Sequence, residues 1–209
     1  MTVVITVAQQ KGGAGKTMLA ANLAAAWART YRVALLDIDP QRSLTRWHSL
    51  RAGTAATRIA LSDVSGWRLS AELDRLQREH EVVVIDTPPQ IDTDSRRAIR
   101  AAGLVLVPVQ PSAPDLWAAE GTLTLAHQEK RPAALLLNRA PTMARALQAS
   151  RAAVEAAGHT LLPAHLANRI GYAQAFATGL GVIEAAPRSA AAAEMTALVA
   201  AIEALLASA

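Results

Sequence analysis

Apolar residues fall in short unbroken blocks, and the longer stretches between them carry helical spacing. Val3-Val4-Ile5-Thr6-Val7-Ala8, Arg32-Val33-Ala34-Leu35-Leu36, Glu81-Val82-Val83-Val84-Ile85, Gly103-Leu104-Val105-Leu106-Val107-Pro108-Val109 and Arg131-Pro132-Ala133-Ala134-Leu135-Leu136-Leu137 read as strands covered on both faces, since no polar alternation marks a wet side. A weaker block, Arg58-Ile59-Ala60-Leu61, makes a short strand within the mixed stretch 52–68. Helices are predicted from Gly15 to Arg29, from Ser43 to Arg51, from Leu69 to Glu79 and from Asp92 to Ala102. Another runs from a Ser112 or Asp115 cap to Gln128, and a last one from Ser189 to Ala207 after Pro187. At least six strands alternating with helices imply an α/β fold, a doubly wound, mainly parallel sheet flanked by helices. No repeat or linker interrupts the pattern, so residues 1–209 are expected to form a single domain.

Polar chemistry collects where the strands run out. The first strand is followed by Gln9-Gln10-Lys11-Gly12-Gly13-Ala14-Gly15-Lys16-Thr17 and then by a helix, the context of a phosphate-binding loop. Glycines let successive amides turn inward around an anion, and the following helix adds its positive end. Lys16 suits the β- and γ-phosphates, and the Thr17 hydroxyl suits Mg²⁺. The general pattern G-x-x-x-x-G-K-[ST] fails at its first position, which is Gln10. A second lysine, Lys11, lies too early in the loop to duplicate Lys16.

The second strand ends in Asp37-Ile38-Asp39-Pro40-Gln41 and the fourth in Asp86-Thr87-Pro88-Pro89. Ligands of open α/β sheets bind beyond the carboxyl ends of the strands, so these acids share an edge with the glycine loop. A carboxylate closing an apolar strand is placed for the Mg²⁺ of a loop-bound nucleotide, the reading for Asp86. Of Asp37 and Asp39, one suits the outer shell of the metal and the other the orientation of a water, or Asp39 serves only as a helix cap before Pro40. Asn138, after the last apolar block, offers the donor and acceptor that an adenine edge needs, or simply forms a turn.

Composition narrows the function classes. Hydrophobic residues make up 52% and aromatics 3%, so Ala, Leu, Val and Ile must build the core. No apolar run approaches the ~18 residues of a membrane span and no signal-like segment opens the chain, which predicts a cytoplasmic protein. Cysteine is absent, which excludes disulfides, thiolate metal sites and iron–sulfur chemistry. Net charge is +4, and of the 21 basic residues only Lys11, Lys16 and Lys130 are lysines. Two of the three lysines therefore sit in the glycine loop, where a compact point charge is useful. From residue 138 to 188, five arginines face two glutamates, which suits spaced phosphate contacts.

These motifs together resemble the ParA/MinD ATPases. Lys11 to Thr17 matches their deviant Walker A box, K-G-G-x-G-K-[ST], with Lys11 at the signature lysine. Asp37 to Gln41 is similar to their D-x-D-P-Q element, Asp86 to Pro89 to the D-[TC]-P-P end, and Pro108 to Asp115 to a P-x-x-P-S segment. The resemblance covers essentially the whole chain, and its short length resembles the small, ParF-like branch. It implies a P-loop NTPase that forms a nucleotide-sandwich homodimer with ATP, and that uses ATP/ADP and Mg²⁺. Lys11 would reach the partner subunit's nucleotide, while Lys16 serves its own within a loop of Gly12, Gly13, Ala14, Gly15, Thr17 and Met18. Asp39 would position the hydrolytic water, Thr17 and Asp86 would hold Mg²⁺ with support from Asp37, and Asn138 would contact adenine. Met18 departs from the second threonine of many relatives.

The function so implied is a slow ATPase switch that binds nucleoid DNA without sequence preference. A ParB-like or other adaptor would stimulate hydrolysis, and the switch would partition or position a plasmid, chromosome or protein cluster. Arg145, Arg169 and Arg188 are the DNA contacts expected by region. A MinD-like membrane organiser needs a basic amphipathic C-terminal helix, whereas 189–207 has no Lys or Arg. A dethiobiotin-synthetase-like enzyme needs an acceptor lysine beyond the loop, and only Lys130 remains.

Overall fold

Both faces of every long apolar block are covered by helices, which is why the blocks lack polar alternation. The computed structural model describes residues 2–156 and 158–208. In chain order they form β1 (Val3–Val7), α1 (Lys16–Trp27), β2 (Val33–Asp37), α2 (Ser43–Arg51), β3 (Ala60–Ser62), a 3-10 turn (Gly66–Arg68) and α3 (Leu69–Glu79). Next come β4 (Val82–Asp86), α4 (Thr93–Ala101), β5 (Leu104–Val109), α5 (Ala113–Gln128), β6 (Ala133–Ala140) and α6 (Ala144–Ala156). The chain closes with β7 (Leu161–Ala167), α7 (Ile170–Ala177), α8 (Val182–Ala185) and α9 (Ala190–Ala207). All seven strands are parallel, in the order β3-β2-β4-β1-β5-β6-β7.

Successive strand residues feed opposite cores, as a two-residue period requires. Ile5, Val7, Leu35, Val84, Leu104 and Leu106 pack with α1, α2, α7, α8 and α9. Val4, Leu36, Val83, Ile85, Val105 and Val107 pack with α3 to α6 on the other side. The expected doubly wound sheet is thus present, with the short third strand shifted by about two residues and one strand more than the apolar blocks suggest. That strand, β7, escapes the pattern because Pro163 and His165 break it. It lies at the sheet edge, where proline is tolerated and exposed carbonyls are a liability. Arg151 of α6 covers them, donating to the Pro163 carbonyl at 3.0 Å and reaching the Leu162 carbonyl.

One expectation is corrected here. The 18 residues of α9 have mean hydropathy 1.7, long and apolar enough by length and composition to cross a membrane. Half of its residues are alanine, and Glu194 and Glu203 are its only charged groups. Both are engaged in the fold: Glu203 accepts from the Trp27 indole at 3.0 Å, and Glu194 accepts from Arg169 at 2.7 Å. Met195, Leu198 and Ile202 are fully buried against the core.

Candidate functional site

In-register pairing brings the functional strand ends together. Val7 of β1 and Asp37 of β2 both pair with Asp86 of β4, so the glycine loop leaves β1 beside two buried carboxylates. The Thr87 hydroxyl ties the end of β4 to the Val7 carbonyl at 3.0 Å. Gly13 and Gly15 have φ of 79° and 91°, a left-handed backbone that favours glycine. Gly15 is required twice over, because a Cβ there would come within 2.5 Å of the Asn138 Nδ2. Asn138 is buried and donates from Nδ2 to the Ala14 carbonyl at 2.7 Å, while its Oδ1 accepts from the Arg139 amide at 3.0 Å. Its first task is to brace the back of the loop. One amide hydrogen and one lone pair remain for a ligand.

Two cavities open from this loop. The smaller, about 270 Å³, is lined by Gly12, Gly13, Lys16, Thr17, Asp39 and Gln41 among others. The larger, about 790 Å³, lies beside it and is bordered by Met18, Asn138, Arg139, Tyr172 and Phe176. Phosphate-sized and nucleoside-sized spaces thus adjoin at the loop, the larger within the range of small-molecule sites.

The acidic residues divide by their partners. Asp37 is fully buried, and its oxygens accept from the Thr45 amide and hydroxyl, both at 2.8 Å, and from the Asp39 amide at 3.2 Å. Its carboxylate is committed to the start of α2, and those three donors leave it less free than Asp86 to ligate a metal. Asp39 is buried, accepts from the Gln41 amide at 2.9 Å and borders the small cavity. Asp86 is the exception: both its oxygens are buried and no donor meets hydrogen-bond geometry with either, although the Thr17 hydroxyl lies near enough to act on the carboxyl. Burial pushes its carboxyl up to about 8, assisted by Asp37 and Asp39 and opposed by the Thr17 hydroxyl and Lys16. Burial likewise lowers the Lys16 ammonium, against the pull of Asp86 and Asp39. An orphaned carboxylate beside a threonine hydroxyl fits a divalent cation. Among the described residues no cluster of three or more His, Asp or Glu could hold a metal alone, so oxygens from outside the protein side chains would have to complete its shell.

Lys11 is arranged differently from Lys16. Its Nζ lies 2.6 Å from Asp115 Oδ2 in the first turn of α5. Burial alone would raise the Asp115 carboxyl, but hydrogen bonds from Lys11 and Ser112 outweigh it and hold it below the usual carboxylate range. Ser112 is the helix cap, so Asp115, legible in the sequence only as a possible cap, is in fact the partner of the second lysine. Gln10, where the general pattern has glycine, lays its side chain over Gly121 of α5, where a Cβ would collide with the amide.

The expected DNA contacts separate. Arg145 and Arg188 are exposed, whereas Arg169 is half-buried, paired with Glu194 at 2.7 Å, and borders the large cavity. Arg169 is therefore a wall of that cavity rather than an open surface cation. Lys130 follows α5 and precedes β6, at the opposite edge of the sheet from the loop.

Over 196 residues the chain is 29% identical to the maintenance of carboxysome distribution protein A of Halothiobacillus neapolitanus, covering 91% of each. The ATP complex of a McdA variant from Cyanothece superposes with a TM-score of 0.79 at 18% identity, over 98% of this chain and 96% of that one. The septum site-determining protein MinD of Pyrococcus horikoshii OT3, complexed with Mg-ADP, gives 0.79 at 17% identity, over 98% and 97%. At such identities the two structures speak for the fold. Residues 5–206 match the family model described as the CobQ/CobB/MinD/ParA nucleotide binding domain, and the chain belongs to that family.

Proposed function

We propose that this chain is an ATP-dependent dimerising switch ATPase that binds DNA without sequence preference and partitions or positions a cargo. The observation that carries the reading is the division of labour between the two loop lysines. Lys16 borders the phosphate-sized cavity with Asp39, while Lys11 is turned to Asp115. A one-subunit nucleotide site has no use for Lys11, and a site shared between two copies does.

In this reading the loop amides and Lys16 hold the phosphates, and Thr17 and Asp86 hold Mg²⁺ with Asp37 behind them. Bound Mg²⁺ neutralises charge developing on the phosphate oxygens. Asp39 orients the attacking water, and Asn138 with Met18 borders the nucleoside. Lys11 leaves Asp115 for the partner subunit's phosphates, which ties dimerisation to ATP. Arg145 and Arg188 belong to the DNA surface, and an adaptor protein stimulates hydrolysis. With Lys130 at the far edge, a metabolic P-loop enzyme lacks its acceptor lysine.

The test is retention of the purified protein on random-sequence DNA with ATP, ADP or no nucleotide. Retention should require ATP and fall steeply with salt, because counterion release drives it. Lys11→Ala should abolish the ATP dimer in sedimentation while leaving nucleotide binding. Equal retention with ATP and ADP, or an unchanged dimer in that variant, would overturn the switch.

A further inference from the structure

Arg139 is the residue of the site that the motifs do not account for. It stands at the carboxyl end of β6, where the β6–β7 register is interrupted between Leu137 and Ala140. Such irregularities re-aim side chains. Its φ is 50°, in the left-handed region that a residue with a Cβ rarely adopts. The conformation is held by its own amide, which donates to Asn138 Oδ1, so the residue that braces the glycine loop also sets Arg139.

Its position is specific. Met18, Arg139 and Phe176 are the residues that line both the 270 Å³ and the 790 Å³ cavities. Of these three only Arg139 is charged. The other arginine bordering the large cavity, Arg169, is paired with Glu194. Among the described residues Arg139 takes part in no ion pair, and it is exposed. A ligand with its phosphates in the small cavity and its base in the large one must cross the seam with its sugar and first phosphate. A guanidinium there offers two parallel, charged donors to a phosphate, in addition to the neutral amides of the loop.

We infer that Arg139 binds the phosphate nearest the sugar of a nucleoside di- or triphosphate, joining the phosphate cradle to the nucleoside cavity. The inference rests on the nucleotide reading of the site. It also separates two effects that ordinarily run together. Glycine at position 139 relieves the left-handed backbone while deleting the guanidinium, so folding stability and ligand affinity should move in opposite directions.

The experiment measures binding of a fluorescent ADP analogue, competed by ADP and by adenosine, for the full chain and for Arg139→Gly, Arg139→Lys and Lys16→Ala. Arg139→Gly should melt no lower than the parent and bind ADP about tenfold or more weakly, with adenosine competition unchanged. Arg139→Lys should recover part of the loss. Unchanged ADP affinity in Arg139→Gly overturns the inference, as does equal weakening for adenosine, which would place the guanidinium on the nucleoside instead. A lower melting temperature in Arg139→Gly assigns the residue to the fold and overturns it as well. If the parent itself binds ADP no better than Lys16→Ala, the nucleotide reading fails, and the inference with it.

Discussion

Asp86, which the proposed mechanism places at the metal, is by its burial poor for stability. A carboxylate with no donor for either oxygen destabilises its charged form, and the proton is retained up to about pH 8. Between the ordinary carboxylate range and that value, the unfolded chain has released the proton and the native chain has kept it. Unfolding then releases a proton, so the nucleotide-free protein should lose stability as pH rises through this window and level off above about 8. Asp86→Asn should flatten that slope in thermal melts taken across the window, since the amide does not titrate. Parallel slopes in the two proteins would show that Asp86 is not the group responsible. Gly15 illustrates the opposite case, a residue legible from its motif, whose second constraint, contact with Asn138, comes from a strand far along the chain.

At the scale of elements, the walls of the two cavities are tied together through α2. Trp47 of α2 stacks on Phe176 of α7 with ring centroids 6.2 Å apart. One turn on, Arg51 is 4% exposed and pairs with Glu184 of α8 at 2.6 Å, and its remaining donors reach the Thr57 and Gly179 carbonyls. Every donor is used, as a buried guanidinium requires. Arg51→Ala should cost about 3–5 kcal/mol in denaturant unfolding, because it strands Glu184 and opens space beside Trp47. A loss below about 1 kcal/mol would mean that the pair is effectively solvated. Neither partner stood out in the sequence. Their separation of more than a hundred residues carries no periodic signal, whereas the α2 face Leu44-Trp47-Leu50 does, although Leu50 proves to be exposed.

For the whole molecule, the decisive feature is that one edge carries everything reactive. Exposed Trp67, Ile91, Trp117, Met143 and Ile170 all follow strand carboxyl ends, on the side of the glycine loop. A second copy meeting this edge would cover them together with Lys11. If the proposed dimer forms through this edge, the Lys11–Asp115 contact competes with it, since the lysine serves one partner at a time. With Lys11 39% exposed, the contact is worth only about 1 kcal/mol. Asp115→Asn should therefore tighten the ATP-dependent dimer by roughly three- to tenfold in sedimentation equilibrium. A weaker or unchanged dimer would show that the contact does not restrain Lys11.

The sequence by itself determined the layer architecture, the loop and the acidic strand ends. These depend on local rules: apolar blocks need cover on both faces, and glycine, lysine and threonine at fixed spacing need a strand before them and a helix after. It also carried the anomaly at Gln10 and Lys11, because a departure from a fixed spacing is visible without coordinates. Tertiary structure alone decided which carboxylate is orphaned, because Asp37 and Asp86 look alike at their strand ends until Thr45 is seen to occupy the first. It alone paired Lys11 with Asp115, tied Arg169 to Glu194 at the cavity wall, turned Asn138 toward the loop and set Arg139 at the seam of two cavities. Hydrogen bonds and ion pairs join residues by distance in space, and their spacing along the chain leaves no pattern to read.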